Sequence, residues 1–173
     1  DICVEYGNRF CLSFNFKKTK TIVFGKVPHN VSPVPLTIDG RSIDYVDEWK
    51  YLGTYVCKGS SNDLIFSVRE DLKKFYRASN AILNVAKKPQ EDVLLHLLYT
   101  NCVSVITYAA EVKEYRSLDM TSLNTAINNA IRRIFGFSRR ESVRTLRESF
   151  GYASIYDVFV LRKRRFLDGI PFC

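Results

Sequence analysis

A change of hydrophobic period near residue 64 constrains this 173-residue chain more than any other feature. From there apolar side chains recur at Leu64, Ile65, Val68, Leu72, Phe75, Ile82, Leu83 and Ala86, with Ser79 in the same series. That is the repeat of one helix face. Pro89 stands at a first-turn position for a second helix, "EDVLLHLLYTNCVSVITYAAEV". It is apolar around most of its girth, which places it inside a bundle. A third helix, about 121–135, carries Leu123, Ala126, Ile127, Ala130, Ile131 and Ile134 on one side and stops at Gly136. Ser138 with Glu141, and Ser154 with Asp157, are capping-box patterns that open a fourth and a fifth helix, Gly151 ending the fourth.

Before residue 64 the pattern is one of strands and turns. A short helical lead ends near Gly7, and strand-like runs follow at 10–14, 21–24, 35–38, 41–45 and 51–57. Asp39-Gly40 is the strongest hairpin signal, because a two-residue type I′ turn needs positive φ at both positions. Pro28, Pro33 and Pro35 confine their stretch to loop or sheet edge. "KGSSND" (58–63) reads as a linker. The expected fold is therefore α+β, with a small antiparallel β region in 1–57 and an all-α bundle of about five helices in 58–173.

Composition narrows the partners. The net charge is +8, and residues 132–165 hold 10 of the bases against 3 acids, while the rest of the chain is nearly balanced. Nine of those ten are Arg, whose planar fork suits phosphate oxygens and ribose. Such clustering is an electrostatic footprint for polyanions, with a solvated helix face as the alternative. Five widely spaced cysteines without a C-x-x-C suit a reducing, intracellular compartment and argue against a disulfide framework or a zinc site. No charge-free run is long enough to span a membrane, and "DICVEYGNRF" lacks the layout of a signal peptide. With no initiator Met, the chain is expected to be a piece of something longer. His29 reads as a loop residue and His96 as a satisfied core or interface histidine.

Catalytic signatures are missing: the acids are scattered, and neither a P-loop, G-x-S-x-G nor H-E-x-x-H occurs. Binding has more support. Arg69, Lys73 and Arg77 recur every four residues beside an apolar helix face, and Lys74 widens the stripe. Such a stripe can track a phosphate backbone without reading sequence; a solvated face with internal pairs such as Glu70 and Lys74 is the alternative. In "EWKYLGTYV" (48–56), Trp49, Tyr51 and Tyr55 alternate along one face of a strand, and Gly53 permits a bend. Aromatics so spaced can stack a base or simply fill a core.

The order of these pieces resembles the reverse transcriptases of non-LTR (LINE-type) retrotransposons over nearly the whole chain. Leu12, Phe14, Asn15, Lys18, Thr19, Ile22 and Phe24 match L-x-F-N-x-x-K-T-x-x-I-x-F, and Trp49, Lys50, Tyr51, Leu52 and Gly53 match W-K-Y-L-G. "NAIRRIFGFSRRESVRTL" is similar to the thumb of those proteins. The resemblance implies that Asn15, Lys18 and Thr19 close the palm near the incoming nucleotide's phosphates. It implies that Trp49 to Gly53 form the primer-grip hairpin, and that the helices beyond about residue 62 are a thumb. Arg69, Lys73, Arg77, Arg132, Arg133, Arg139 and Arg140 would then contact an RNA template or RNA–DNA hybrid duplex.

The same resemblance implies Mg²⁺ for the parent enzyme and a location in nucleus and cytoplasm. It also places the paired catalytic aspartates, with the rest of the palm and the fingers, upstream of Asp1, so the fragment alone is expected to be inactive. Two alternatives stay open. One is a host-encoded interaction module burying the apolar 93–112 helix and the aromatic strand against a partner. The other is a sequence-specific DNA-binding domain built on "RRIFGFSRRESVRTL".

Overall fold

A computed structural model describes residues 2–25, 34–61, 63–84 and 89–170. His29, Asn62, Cys173 and the prolines at 28 and 33 lie outside the described residues. The chain is mixed α+β and divides into two compact units, Asp1–Phe66 and Ser67–Cys173. The division falls after a strand, not after residue 57.

In the first unit, helix α1 (Ile2–Arg9) runs two residues past Gly7. The chain then doubles back, and Leu12 N–H donates to the Gly7 carbonyl at 2.8 Å. A Cβ on Gly7 would stand 3.0 Å from the Leu12 oxygen, so glycine permits the close return. That return replaces the strand expected at 10–14. The run expected at 21–24 shrinks to one parallel bridge between Thr21 and Tyr45. A single bridge gives no ladder, so the remaining residues stay irregular.

Strands β1 (Thr37–Ile38) and β2 (Arg41–Ser42) form the expected hairpin, with φ of 53° at Asp39 and 69° at Gly40. A three-stranded antiparallel sheet follows in the order β3 (Glu48–Tyr51), β4 (Thr54–Lys58) and β5 (Leu64–Phe66). Two corrections arise here. The expected strand at 51–57 is broken by a turn at Leu52-Gly53, and Leu64 to Phe66 form a strand where a helix was expected to begin. Ile65 pairs with Cys57 and Phe66 with Val56, so sheet pairing overrides the helical spacing at this boundary.

The second unit is helical. Its α2 (Val68–Leu83) buries Phe75 and Ser79, and α5 (Ser117–Phe135) buries Leu123, Ala126, Ile127, Ala130, Ile131 and Ile134. Gly136 ends α5 in the left-handed region at φ 68°, as expected. The long apolar helix is not uniform. It runs as α3 (Glu91–Leu97), a π-helical segment (Leu98–Val103) and α4 (Ser104–Ile106), then ends near Thr107. Its Leu94, Leu95, Leu98, Cys102, Val103 and Ile106 all enter the core with Phe75 and the α5 residues.

Helices α6 (Arg144–Ser149) and α7 (Ile155–Asp168) complete the unit. At α7 the capping box closes in both directions: Asp157 N–H donates to Ser154 Oγ at 3.1 Å, and Ser154 N–H to Asp157 Oδ2 at 3.3 Å. The pattern at Ser138 and Glu141 makes only a turn, and α6 starts later, at Arg144. Among the described residues no helix is long and apolar enough to cross a membrane.

Candidate nucleic-acid interface

Asn15, Lys18 and Thr19 belong to one tight turn. The Lys18 and Thr19 N–H groups both donate to the Asn15 carbonyl at 2.9 Å, and Lys18 N–H also reaches Asn15 Oδ1 at 3.2 Å. Asn favours such turns because its side chain copies a backbone acceptor. The turn leaves Lys17 and Lys18 exposed. Lys20, the next lysine in the sequence, is engaged instead. It ion-pairs with Asp44 and lies 5.6 Å from the Trp49 ring centroid, tying this segment to the strand at 48–51. Arg41 adds a second tie, its guanidinium 4.9 Å from the Phe16 ring.

Trp49 to Gly53 form one arm and the tip of the β3–β4 hairpin. Tyr51 pairs with Thr54 across a two-residue turn, with φ of 45° at Leu52 and 81° at Gly53. Both values suit type I′, a turn that Gly and Asn adopt readily and Leu does not. Leu52 is nonetheless 74% exposed and Tyr51 65% exposed, so an apolar tip is held out in a strained conformation. The register corrects the aromatic face. Trp49 pairs with Val56 and Lys50 with Tyr55, which puts Tyr55 on the side opposite Trp49 and Tyr51. On Tyr55's side Glu48 pairs with Cys57; burial and that carboxylate push the thiol up to about 11.

In the helical unit Arg69, Lys73 and Arg77 are exposed along α2. Lys73 lies 2.5 Å from Glu70 Oε1, and this hydrogen bond holds the Glu70 carboxyl below its ordinary value. The pairing softens the middle of the stripe. Arg133 extends its far end from another helix, its Nη1 2.8 Å from Asn80 Oδ1. Arg132 turns elsewhere, because adjacent helical positions diverge by about 100°. Its Nε donates to the Glu141 carbonyl at 2.9 Å and its Nη1 to Asn129 Oδ1 at 3.0 Å. Arg139 and Arg140 stand exposed in the turn between α5 and α6. The seven basic positions therefore form an α2–Arg133 stripe and a separate α5–α6 group.

Sequence reasoning missed a buried charge cluster. Asp71 sits among Val68, Leu72 and Phe75 on the inner side of α2, and its carboxylate meets Lys113, Tyr115 and Lys74. A lone acid within an apolar helix face was the available signal. Burial and the hydrogen bond to Asp71 push the Tyr115 hydroxyl far above its ordinary value. His96 is not a core histidine: it is exposed, and it is satisfied by Tyr152, whose hydroxyl lies 3.1 Å from Nδ1.

Helix α6, which the DNA-binding alternative would need as its recognition helix, has six residues and buries Arg147. Among the described residues no three His, Cys, Asp or Glu side chains converge as a metal site, and no reaction step is assigned to one. No protein family, curated protein or solved structure matches the chain.

Proposed function

We propose that the chain is the end of the palm and the thumb of a LINE-type reverse transcriptase, an RNA-directed DNA polymerase. The observation that carries this reading is a pair of local structures in the order the resemblance requires. The Asn15 turn presents Lys18, and the hairpin that follows holds Tyr51 and Leu52 outward on a strained tip. On this reading Lys18 meets the phosphates of an incoming nucleotide. The Trp49–Gly53 arm holds the primer end, and Arg69, Lys73, Arg77 and Arg133 give a sequence-blind grip on the duplex backbone. Mg²⁺ and the nucleotidyl transfer itself belong to carboxylates of the parent enzyme, outside this chain.

The test is affinity for an RNA–DNA hybrid across a salt series. Log affinity is expected to fall linearly with log salt, and each of Arg69→Ala, Arg77→Ala and Arg133→Ala to reduce the slope by about one. A flat line would sink the clamp. In the full-length polymerase, Lys18→Ala is expected to slow nucleotide addition while Lys17→Ala does not; the reverse outcome would show the register to be wrong.

The alternative of an interaction module has one observation in its favour. Val160, Leu161, Phe166 and Leu167 of α7 are exposed, whereas the 93–112 segment first considered for docking turns most of its apolar side chains into the core, leaving Val93, Tyr108 and Val112 exposed. An upstream reading frame encoding the fingers and paired aspartates favours the polymerase, and a short transcript favours the module.

A further inference from the structure

Helix α7 carries two rows of apolar residues, and the bundle uses one of them. Ile155 and Phe159 are buried, and Arg162 Nη1, a turn further along the same side, donates to the Thr107 carbonyl at 2.9 Å. The second row lies about 100° around the helix from the first. It holds Tyr156, Val160, Lys163 and Leu167, and Ile170 takes the next place just past the helix end. Steps of four, three, four and three residues are the spacing of a coiled-coil seam. Val160 is 65% and Leu167 61% exposed, and Tyr156 and Ile170 are exposed as well, so the described residues leave this row uncovered.

Charge along the row decides what covers it. One flank carries Asp157 and Arg164, and the other carries Phe159 and Phe166. When two copies of a helix pair antiparallel about a two-fold axis, like flanks meet, and Asp157 then faces Arg164 twice. A parallel pair would set this flank against the two phenylalanines and match neither charge. Asp157 is available: Ser154 N–H and Oγ both go to its Oδ2, which leaves Oδ1 as an acceptor. Arg164 Nε has only a 3.8 Å contact with Asp168 on an exposed flank, a pair worth little in water. Lys163, in mid-row, reaches Glu114 of its own copy at 3.4 Å, so its stem can lie in the seam while its charge stays compensated. An acidic partner helix would set its carboxylates against Asp157, and a lipid surface favours an apolar face that no lysine interrupts.

We propose that α7 pairs with the α7 of a second copy of this chain, antiparallel about a two-fold axis. Tyr156 packs against Leu167 of the other copy, Val160 against the stem of Lys163, and Asp157 meets Arg164 on the outer flank. The helix has 14 residues and is about 21 Å long, so the contact is small and the dimer weak. The pairing stands apart from the polymerase reading, since no nucleic acid takes part in it.

The test is sedimentation equilibrium of the 173-residue chain between about 1 µM and 1 mM, where a monomer–dimer equilibrium is expected. Leu167→Glu, at an exposed position, is expected to weaken the dimer about tenfold or more with the melting temperature retained. Asp157→Arg and Arg164→Glu are each expected to weaken it as well, because like charges then face each other on the flank. An equimolar mixture of those two variants is expected to regain the wild-type affinity, since each carries the flank charges that the other lacks. If Asp157→Arg fails to fold for want of its cap, Arg164→Glu is compared with Arg164→Lys, and only the first is expected to weaken the dimer. A chain that stays monomeric over the whole range overturns the proposal. Association that Leu167→Glu leaves unchanged also overturns it, by placing the contact on another surface. So does a mixture that regains nothing, which excludes the antiparallel order.

Discussion

Lys113 Nζ lies 2.9 Å from Asp71 Oδ2, and the lysine has no exposed side-chain surface at all. The contact joins two residues 42 positions apart and pins the turn after α4 to the inner side of α2. Tyr115 donates to the same carboxylate oxygen, and Lys113 Nζ lies 5.9 Å from the ring centroids of both Tyr108 and Tyr115. Burying two charges is tolerable only when each is satisfied in this way.

Lys113→Met is therefore expected to cost about 3–5 kcal/mol, since it strands a buried carboxylate. The triple variant Lys113→Met/Asp71→Leu/Tyr115→Phe removes the buried members of the cluster together, leaving only the part-exposed Lys74, and is expected to recover most of that loss. Urea denaturation of the three proteins checks this. A Lys113→Met variant as stable as wild type would show that the cluster is not closed in solution.

Two phenols make the fold sensitive to alkali. Burial raises the Tyr99 hydroxyl to about 12, and Tyr115 rises further with Asp71 beside it. Below pH 10, the ordinary value, neither the folded nor the unfolded state ionises and their contribution is whole. Above it only the unfolded chain releases protons, so stability falls as pH climbs towards the folded values. Tyr99→Phe is expected to remove roughly 1 kcal/mol of that alkaline loss, after allowance for partial exposure. Denaturant midpoints between pH 9 and 12 measure it.

The cap of α7 is sensitive to acid. Hydrogen bonds from Ser154, with smaller contributions from Arg147 and Arg144, hold the Asp157 carboxyl below its ordinary 3.8. Its contribution is complete above 3.8 and is lost as pH falls through the lowered folded value. Ser154→Ala is expected to cost about 1 kcal/mol at neutral pH, and that cost should shrink in acid. Thermal melts at two pH values suffice; a cost independent of pH would mean that the two side chains do not act together.

At the hairpin tip, Gly53→Ala is expected to destabilise the first unit by about 1 kcal/mol or more, because alanine resists φ of 81°. Leu52→Asn moves the other way, gaining about 0.5–1 kcal/mol, since Asn tolerates positive φ. Hydrogen exchange of the β3 and β4 amides reads both. If the tip grips a primer, Leu52→Asn should also weaken primer extension in the full-length polymerase despite the added stability.

Local signals proved legible where one residue type had one job. Asp39-Gly40 turned as its φ requirement demanded, Gly136 closed α5, and Ser154 with Asp157 capped α7. Legibility failed where pairing across the chain decided the outcome. Nothing in "LIF" distinguishes a helix start from a strand until Cys57 and Val56 are present to pair with it. The face assigned to Tyr55 failed for a related reason: alternation holds along a strand, and Leu52-Gly53 ends that strand. The basic residues were identifiable by type, but which of them share a surface depended on packing. Arg132 and Arg133, neighbours in sequence, serve different groups.

The π-helical segment at Leu98–Val103 has a genealogical consequence. A π turn holds one residue more than the α-helical turn it replaces, so it behaves as an insertion preserved inside a helix. Deleting one exposed residue there, such as Thr100, would let the wide turn revert to α geometry with the phase beyond it nearly kept. Lys113 would then still reach Asp71, and Ile106 and Ala110 would stay in the core. Relatives of this chain should thus include some with one residue fewer between Leu98 and Lys113 and the same core on either side. In this stretch a gap in an alignment would carry more information than any substitution.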